Sequence, residues 1–386
     1  MIHAPTVENQ TILFGVTSSQ SLRLLGKIPS AMAEIGWAVH VVAGDTASGV
    51  PKSLAGIKLH TLPMVRNPSP LKDFHSLVGW IRLVHKVKPK IVVIGTPKAA
   101  LLGLLASLLC RVPFRVYQLR GLRLQTVSGL ASHVLFLMEW ITAKSSTTIL
   151  AVSKSLKDEY CRVGLGDSKK IEVLGFGSSH GVDVHYFHPT RWLSWEPHEP
   201  KLRQARSAGI PILGFVGRFS KDKGAQELLQ CCRVLRESGI THALLVVGPI
   251  EGDEESLNNL KRLCPETIVT GPVADVAPYY SIMDLLLLPT HREGFPNAVL
   301  EAAASGVPAI TTNATGAIDS VVDGQTGIVV AARDGDALAA KIMEMLCNPK
   351  LVSKLAKNAR AWALSRFDSE IVTKNYVNYF RKIAKE

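Results

Sequence analysis

The sequence predicts an α/β protein of two doubly wound, Rossmann-like domains facing a central cleft. Three observations lead there. The chain has 386 residues, more than one ordinary hydrophobic core accommodates. Short apolar runs alternate with segments of helical period from end to end, the βαβ rhythm of a parallel sheet covered on both faces. That rhythm breaks once, over "YFHPTRWLSWEPHEPKLRQARSAG" (186–209), whose proline, tryptophan and charge suit an inter-domain connection.

The elements follow in order. "TILFGV" (11–16), "WAVHVVA" (37–43), "IVVIG" (91–95), "FRVYQL" (114–119) and "TTILAV" (147–152) read as strands buried on both faces. Helical segments over 21–35, 73–87, 97–109, 133–145 and 153–163 separate them. After the break the pattern restarts with "PILGFVG" (211–217), "HALLVVG" (242–248), "ETIVTG" (266–271), "DLLLLPT" (284–290), "PAITT" (308–312) and "TGIVV" (326–330). Helices over 333–346, 350–366 and 369–384 close the chain. The expected domains are therefore 1–190 and 205–366, joined by 191–204. A last helix over about 367–386 is expected to pack back onto the first domain. In open α/β sheets ligands bind beyond the carboxyl ends of the strands, so the loops after each strand are the ones to read.

Composition narrows the function. At 47% apolar and 20% charged, the chain is globular and not disordered. Residues 1–185 hold 21 Lys+Arg against 10 Asp+Glu, a net of +11, and residues 186–386 hold 23 against 22, a net of +1. The basic first half favours an anionic partner: membrane lipid, a phosphorylated substrate or nucleic acid. No span reaches the roughly 20 apolar residues of a transmembrane helix, because "IVVIGTPKAALLGLLASLL" (91–109) is broken by Gly-Thr-Pro-Lys. Cys110, Cys161, Cys231, Cys232, Cys264 and Cys347 form no CxxC and no zinc spacing. With no secretory signal read, they are expected as reduced thiols in a cytoplasmic protein.

Two loops carry the chemistry. "GRFSKDKG" (217–224) follows a strand and opens a helix. Gly217 allows a tight turn, and Arg218 and Lys223 bring two cations to a helix N-terminus, which suits a phosphate or diphosphate as well as a merely solvated basic turn. "HREGFPNAVLEAAASGVPAI" (291–310) places Glu293 ahead of a helix begun by Pro296 and Glu301 about five residues inside it. At about 1.5 Å rise per residue, most of two turns separate the acids along the axis. A shared proton or a single metal ion then loses ground to a clamp on an extended ligand, with the N–H groups of residues 294–297 between the acids. Two solvated ends of a surface helix stay open as the plain alternative.

The arrangement "EGFPNAVLE", with "GRFSKDKG" before it and "SGVPAITTNATGAIDSVVDGQTGIVV" after it, resembles the family 4 glycosyltransferases, retaining sugar-nucleotide enzymes of the GT-B fold. The match covers nearly all of 205–365. In the first half "LRGLRLQTVSGL", "AVSKSLKDEY" and "GFGSSHGVD" resemble the bacterial branch that builds capsular and other surface polysaccharides. The resemblance implies that Glu293 contacts the donor sugar and Glu301 the ribose hydroxyls, while Arg218 and Lys223 neutralise the diphosphate. It implies that Gly294, Phe295, Pro296 and Asn297 face the phosphates and sugar through their backbone. Pro272 and Val273 become base-contact candidates, and Thr17, Ser18, Ser19 and Gln20 border the acceptor. Two departures stand out: "VTSSQS" replaces the paired glycines of many relatives, and "QLRGLR" replaces a histidine after the fifth strand. Arg120 occupies that region and, always protonated, would stabilise negative charge rather than act as a base.

Rival patterns are weaker. "GSSHG" (177–181) is a literal GxSxG and follows a strand, "IEVLG" (171–175), but "VDVHYFHP" comes next where a nucleophile elbow needs a helix. His180, His185 and His188 have irregular spacing and no acid cluster, and "RDGD" (333–336) opens a helix, where Asp caps. Nucleic acid is not expected, because the basic half lacks interleaved aromatic platforms and a known motif. A binding module without catalysis conflicts with the intact Glu293, Glu301, Arg218 and Lys223. The expectation is a retaining transferase, with no metal and no cofactor beyond its nucleotide-sugar co-substrate, expected to be UDP-linked. Its acceptor is expected to be lipid-linked, an undecaprenyl-diphosphate saccharide at the cytoplasmic membrane face. A soluble small-molecule acceptor and a sugar-nucleotide epimerase are the alternatives.

Overall fold

Runs of Val, Ile and Leu cannot leave either face in water, so they build parallel strands that helices cover on both sides. In the computed structural model, which describes residues 10–47, 49–65, 69–252 and 254–385, they do so twice. One unit comprises 1–181 with 369–386, and the other 182–368.

In the first unit β1 (Thr11–Gly15), β2 (Ala38–Ala43), β3 (Lys58–Thr61), β4 (Ile91–Ile94), β5 (Phe114–Leu119), β6 (Thr148–Ala151) and β7 (Ile171–Glu172) pair in the order β3-β2-β1-β4-β5-β6-β7. Every pairing is parallel. The edge strand β3, "KLHT", has exposed ends and no buried residue. Its polarity hides it from a search for apolar runs. The helices are α1 (Ile28–Glu34), α2 (Pro70–Val87), α3 (Pro97–Leu109), α4 (Leu130–Ser145) and α5 (Lys154–Arg162). The single helix expected over 21–35 is instead a 3-10 turn, Ser19–Leu25, followed by α1. Gly26 separates them at φ +56, a left-handed conformation that a helix interior does not accept.

The C-terminal helix, Ser369–Ile383, belongs to this same unit. Its Tyr376 and Phe380 complete a core that includes Phe14, Val93 and Val116, with the Phe14 and Phe380 rings edge-on at 6.1 Å. The buried Tyr376 hydroxyl donates to the Ser178 carbonyl at 3.2 Å and accepts from Gln118 at 2.9 Å, so the polar tip is satisfied where the ring is buried. The unit bounds also sharpen the charge asymmetry. The first unit carries 25 Lys+Arg against 11 Asp+Glu, a net of +14, and the second 19 against 21, a net of −2.

In the second unit β8 (Ile212–Val216), β9 (Ala243–Val247), β10 (Ile268–Gly271), β11 (Leu285–Leu288), β12 (Ala309–Thr312) and β13 (Gly327–Val330) pair in the order β10-β9-β8-β11-β12-β13. The helices are α6 (Pro200–Ser207), α7 (Ala225–Glu237), α8 (Glu254–Leu263), α9 (Ala277–Tyr280), α10 (Asn297–Ala304), α11 (Gly335–Leu346) and α12 (Pro349–Trp362). Leu228, Cys231, Leu235 and Leu338 pack beneath β8, β9 and β11 in a closed core. Part of the proline- and tryptophan-rich stretch is ordered here: Leu202 and Ala205 of α6 are buried, and Trp195 meets Tyr279 at 4.9 Å. The chain enters and leaves this unit at one place, where the Val182 N–H donates to the Phe367 carbonyl at 2.8 Å.

Phe380→Ala would open a cavity under β1 and should cost about 3–5 kcal/mol of stability. The check is a urea unfolding curve, in which the midpoint falls and the slope stays unchanged.

Candidate glycosyl-transfer site

Each sheet reverses its strand order once, between β1 and β4 in the first unit and between β8 and β11 in the second. Loops leaving neighbouring strands in opposite directions open a crevice at that point. The two expected loops of the second unit are the pair that flanks it.

Lys223 ends a 3-10 turn, Lys221–Lys223, and Gly224 leads from it into α7 at φ +86. A Cβ on Gly224 would stand 2.2 Å from the Pro289 carbonyl oxygen, so the turn lies directly against the loop after β11. Lys223 Nζ reaches that loop. It forms an ion pair with Glu293 Oε1 at 2.5 Å and donates to the Arg292 carbonyl at 3.3 Å. Both side chains are largely buried, at 15% and 17% exposure. Arg218 is more open, at 39%, and pairs with Glu251 at 2.7 Å and Asp222 at 3.9 Å. Asp222 also holds Arg292 at 3.1 Å. Two expected cations are therefore present at the switch point, each with an acid as its partner.

Pro296 caps α10 and does not lie in its first turn, which begins at Asn297. Its ring leaves no N–H to satisfy at the cap. Glu293 precedes the helix, and Glu301 is its fifth residue. Glu301 Oε2 accepts from the Tyr280 hydroxyl at 2.9 Å, and burial followed by the Glu301 charge pushes that phenol well above its ordinary range. Tyr280 thus donates firmly and fixes the carboxylate. Phe295 contributes no open ring: it is buried and lies 5.1 Å from Phe367, so only its backbone is available. Pro272 and Val273 follow edge strand β10, with Pro272 exposed and Val273 packed against the core.

Several participants were not anticipated. Gly316, at φ +76, lies so close to the loop that a Cβ would be 2.4 Å from both the Glu293 and Gly294 carbonyl oxygens. The Glu293 N–H donates to the Thr315 carbonyl at 2.8 Å. The buried Thr290 hydroxyl donates to the Arg292 carbonyl at 2.9 Å, and His291 Nε2 meets Glu227 Oε1 at 2.9 Å. The "NATG" stretch carried a glycine signal; Tyr280 carried none, since only folding brings its hydroxyl to Glu301, and nothing marked Thr290 beyond its place just before the loop.

In the first unit, Thr17 closes the switch point. Its N–H donates to Thr96 Oγ1 at 2.8 Å, and the two hydroxyls bond at 2.8 Å. Ser18 bonds Ser21, the buried Ser19 donates to Asp45, and Gln20 is exposed. Arg120 leaves β5 with Nη2 donating to the Leu24 carbonyl at 2.8 Å and to Gln118 Oε1 at 2.6 Å. Its Nε and Nη1 are buried with no hydrogen-bond partner among the described residues. Unpaired donors on a buried guanidinium suit an anion. Burial lowers the Arg120 pKa to about 10, which still leaves it charged at neutral pH. His180 stands nearby, lowered to about 4 by burial and then by the Arg120 charge, so it is neutral there. A histidine therefore reaches this region from a different part of the chain, a position set aside in the sequence as irregular.

Metal-like contacts occur elsewhere. Cys232, His242 and Cys264 are buried with ligand atoms within 4.8 Å of one another. They sit at the end of the sheet where β9 begins, opposite the loops above. His242 Nδ1 faces the Ile240 carbonyl at 3.0 Å and Nε2 faces the Cys264 thiol at 3.7 Å, which pairs these groups without an ion.

The protein is thus a two-sheet α/β protein with cations and acids gathered at one switch point, and comparison with known proteins gives its class. The family model "Glycosyl transferases group 1" matches residues 210–348 and "Glycosyl transferase 4-like domain" matches 26–177. A capsular polysaccharide biosynthesis glycosyltransferase, CapM of Staphylococcus aureus, is 37% identical over 98% of this chain and 99% of its own. The UDP-Gal:alpha-D-GlcNAc-diphosphoundecaprenol alpha-1,3-galactosyltransferase of Escherichia coli is 24% identical over 79% and 78% of the respective chains. The crystal structure of Anabaena HepE in complex with UDP superposes with a TM-score of 0.75 at 17% identity, covering 97% of this chain and 100% of that one. The chain belongs to the family 4 glycosyltransferases of the GT-B fold, in the bacterial surface-polysaccharide branch.

Gly316→Ala should displace the Glu293 loop, lowering transfer activity by about tenfold or more and costing on the order of 1–3 kcal/mol of stability, read from paired turnover and denaturation measurements. The His180 prediction concerns pH. Its folded pKa lies below the ordinary 6.5, so the unfolded chain binds the extra proton first as pH falls. Wild type should therefore lose on the order of 2–3 kcal/mol relative to His180→Asn between about pH 6.5 and pH 4, with no further divergence below. Denaturation at a series of pH values checks it. Glu139, raised to about 7 by burial, titrates with the opposite slope in both proteins and cancels in the difference.

Proposed function

We propose that this enzyme transfers a sugar from a UDP-sugar to an undecaprenyl-diphosphate-linked saccharide, with retention at the anomeric carbon, without a metal ion, at the inner face of the cell membrane. The observation that carries the reading is the Lys223–Glu293 pair across the β8/β11 switch point, with Arg218 on the same loop. On binding, the donor diphosphate takes Lys223 and Arg218 as counter-charges and the donor sugar takes Glu293. Glu301, held by Tyr280, accepts from the ribose hydroxyls. Pro272 and Val273 border the base, and the α10 N-terminus from Gly294 to Asn297 faces the phosphates.

The bond from the anomeric carbon to the diphosphate oxygen breaks through an oxocarbenium-like transition state. The acceptor hydroxyl attacks from the same face and its proton passes to the departing diphosphate. Positioning and cationic stabilisation of the leaving group supply the rate, with no protein nucleophile. The two unpaired donor nitrogens of Arg120, Nε and Nη1, serve an acceptor phosphate. Three things support a UDP donor and a lipid-linked acceptor: the UDP in the HepE crystal, the diphosphoundecaprenol in the name of the Escherichia coli relative, and the net +14 of the first unit.

The decisive experiment is release of free nucleotide from UDP-, GDP- and dTDP-sugars with and without a lipid-linked acceptor. Acceptor-stimulated release from a UDP-sugar, unaffected by EDTA and giving an axial-to-axial or equatorial-to-equatorial product by NMR, is expected. Release that ignores every acceptor, or a product epimerised at the sugar, would sink the reading. Lys223→Ala should reduce kcat by about 10²–10³-fold and also lower the melting point, because Glu293 then stays largely buried without its counter-charge; wild-type turnover in that variant would remove the diphosphate assignment. Glu301→Ala should chiefly weaken donor binding in calorimetric titration, and an unaltered donor affinity would remove the ribose assignment.

A further inference from the structure

Helix α4 is inside out. Its polar residues Glu139, Thr142 and Ser145 are buried, Glu139 accepting from Tyr117 at 3.0 Å and Tyr160 at 3.3 Å. Five of its large apolar residues are exposed, Leu130 at 82%, Leu137 56%, Val134 45%, Trp140 41% and Phe136 38%, while Leu135, Met138 and Ile141 are half-buried against the unit. Leu130, Val134 and Leu137 follow one helical stripe, and Phe136 and Trp140 the next one round. A water-facing helix of a soluble domain places these classes the other way, and a contiguous apolar face of this kind marks an interaction site.

The surroundings identify the partner. Arg123, exposed, precedes the helix, and Lys144 ends it, its ammonium 5.7 Å from the Trp140 ring centre. A tryptophan under a cation at the margin of an apolar face suits the headgroup level of a bilayer. Helices α2, α3 and α4 pack side by side, and because all three follow parallel strands their first turns share one edge of the unit. There α2 adds Leu71, 79% exposed, and Phe74, 63% exposed, with Lys72 between them. The unit carrying this face is the one with net charge +14, complementary to an anionic leaflet. No described helix is long and apolar enough to cross a membrane, so the face lies in the interface plane.

We infer that the outer face of α4, aided by the first turn of α2, inserts into the headgroup region of an anionic bilayer and is the element that brings the enzyme to its acceptor. This rests on the lipid-linked acceptor proposed above and adds the surface that reaches it. The apolar contact supplies depth and the cations supply orientation.

The test compares the full chain with the triple variant L130S/L137S/W140S by flotation on vesicles of phosphatidylcholine with and without phosphatidylglycerol. All three side chains are exposed, and circular dichroism melting with UDP titration verifies that the variant is folded and binds donor. Wild type should float with the anionic vesicles. The variant should bind at least tenfold more weakly, since each buried large side chain is worth about that factor, and turnover on the lipid-linked acceptor should fall with it. Equal flotation of the two proteins overturns the inference. So does a lipid-free dimer of wild type that the variant abolishes, because the face then covers a second copy. If wild type floats through α4 yet transfers only to a water-soluble acceptor, the membrane-docking face stands, and the lipid-linked acceptor falls together with the role of α4 in reaching it.

Discussion

The ion pair between Lys223 and Glu293 ties together the two loops that leave the middle of the second sheet, and the arrangement of the site depends on that tie. Two buried charges this close are tolerated because each offsets the desolvation of the other. Backbone sterics add to it. The loop before α10 is trapped between Gly224, which admits the Pro289 carbonyl, and Gly316, which admits those of Glu293 and Gly294. A side chain at either glycine would push Glu293 out of reach of Lys223. The acid is thereby aimed before any substrate arrives, and such pre-organisation lets electrostatic stabilisation act without reorganisation cost.

The second acid is held by different means. Glu301 lies within α10, and the hydroxyl of the fully enclosed Tyr280 fixes it. One carboxylate is thus positioned by a mobile-stemmed lysine across a loop, the other by a rigid ring on a helix. The first contact rests on a flexible stem and the second on a rigid, fully buried ring. That difference supports the roles proposed above, a donor-sugar contact for Glu293 and a ribose contact for Glu301.

The first unit shows the same topology put to another use. Its switch point is closed by the Thr17–Thr96 hydrogen bonds, and its cation is the buried Arg120 with two unpaired donors. Neutral His180 beside it adds no competing charge. Outside, the unit is strongly basic and turns the apolar side of α4 to its surface.

Much of this was legible in the chain. The sequence placed twelve of the thirteen strands found among the described residues, because a doubly covered strand has to be a continuous apolar run; of "IEVLG", only Ile171–Glu172 pairs, as β7. The one left out, β3, is a polar edge. The loop motifs put Arg218, Lys223, Glu293 and Glu301 near one another, since strand-end loops of a parallel sheet share an edge. Local sequence could not say which cation meets which acid, that Tyr280 holds Glu301, that His180 comes to Arg120, or that α4 faces outward. Those facts depend on contacts between residues far apart in the chain, and a helix's period reveals that it has two faces without saying which one the fold will bury.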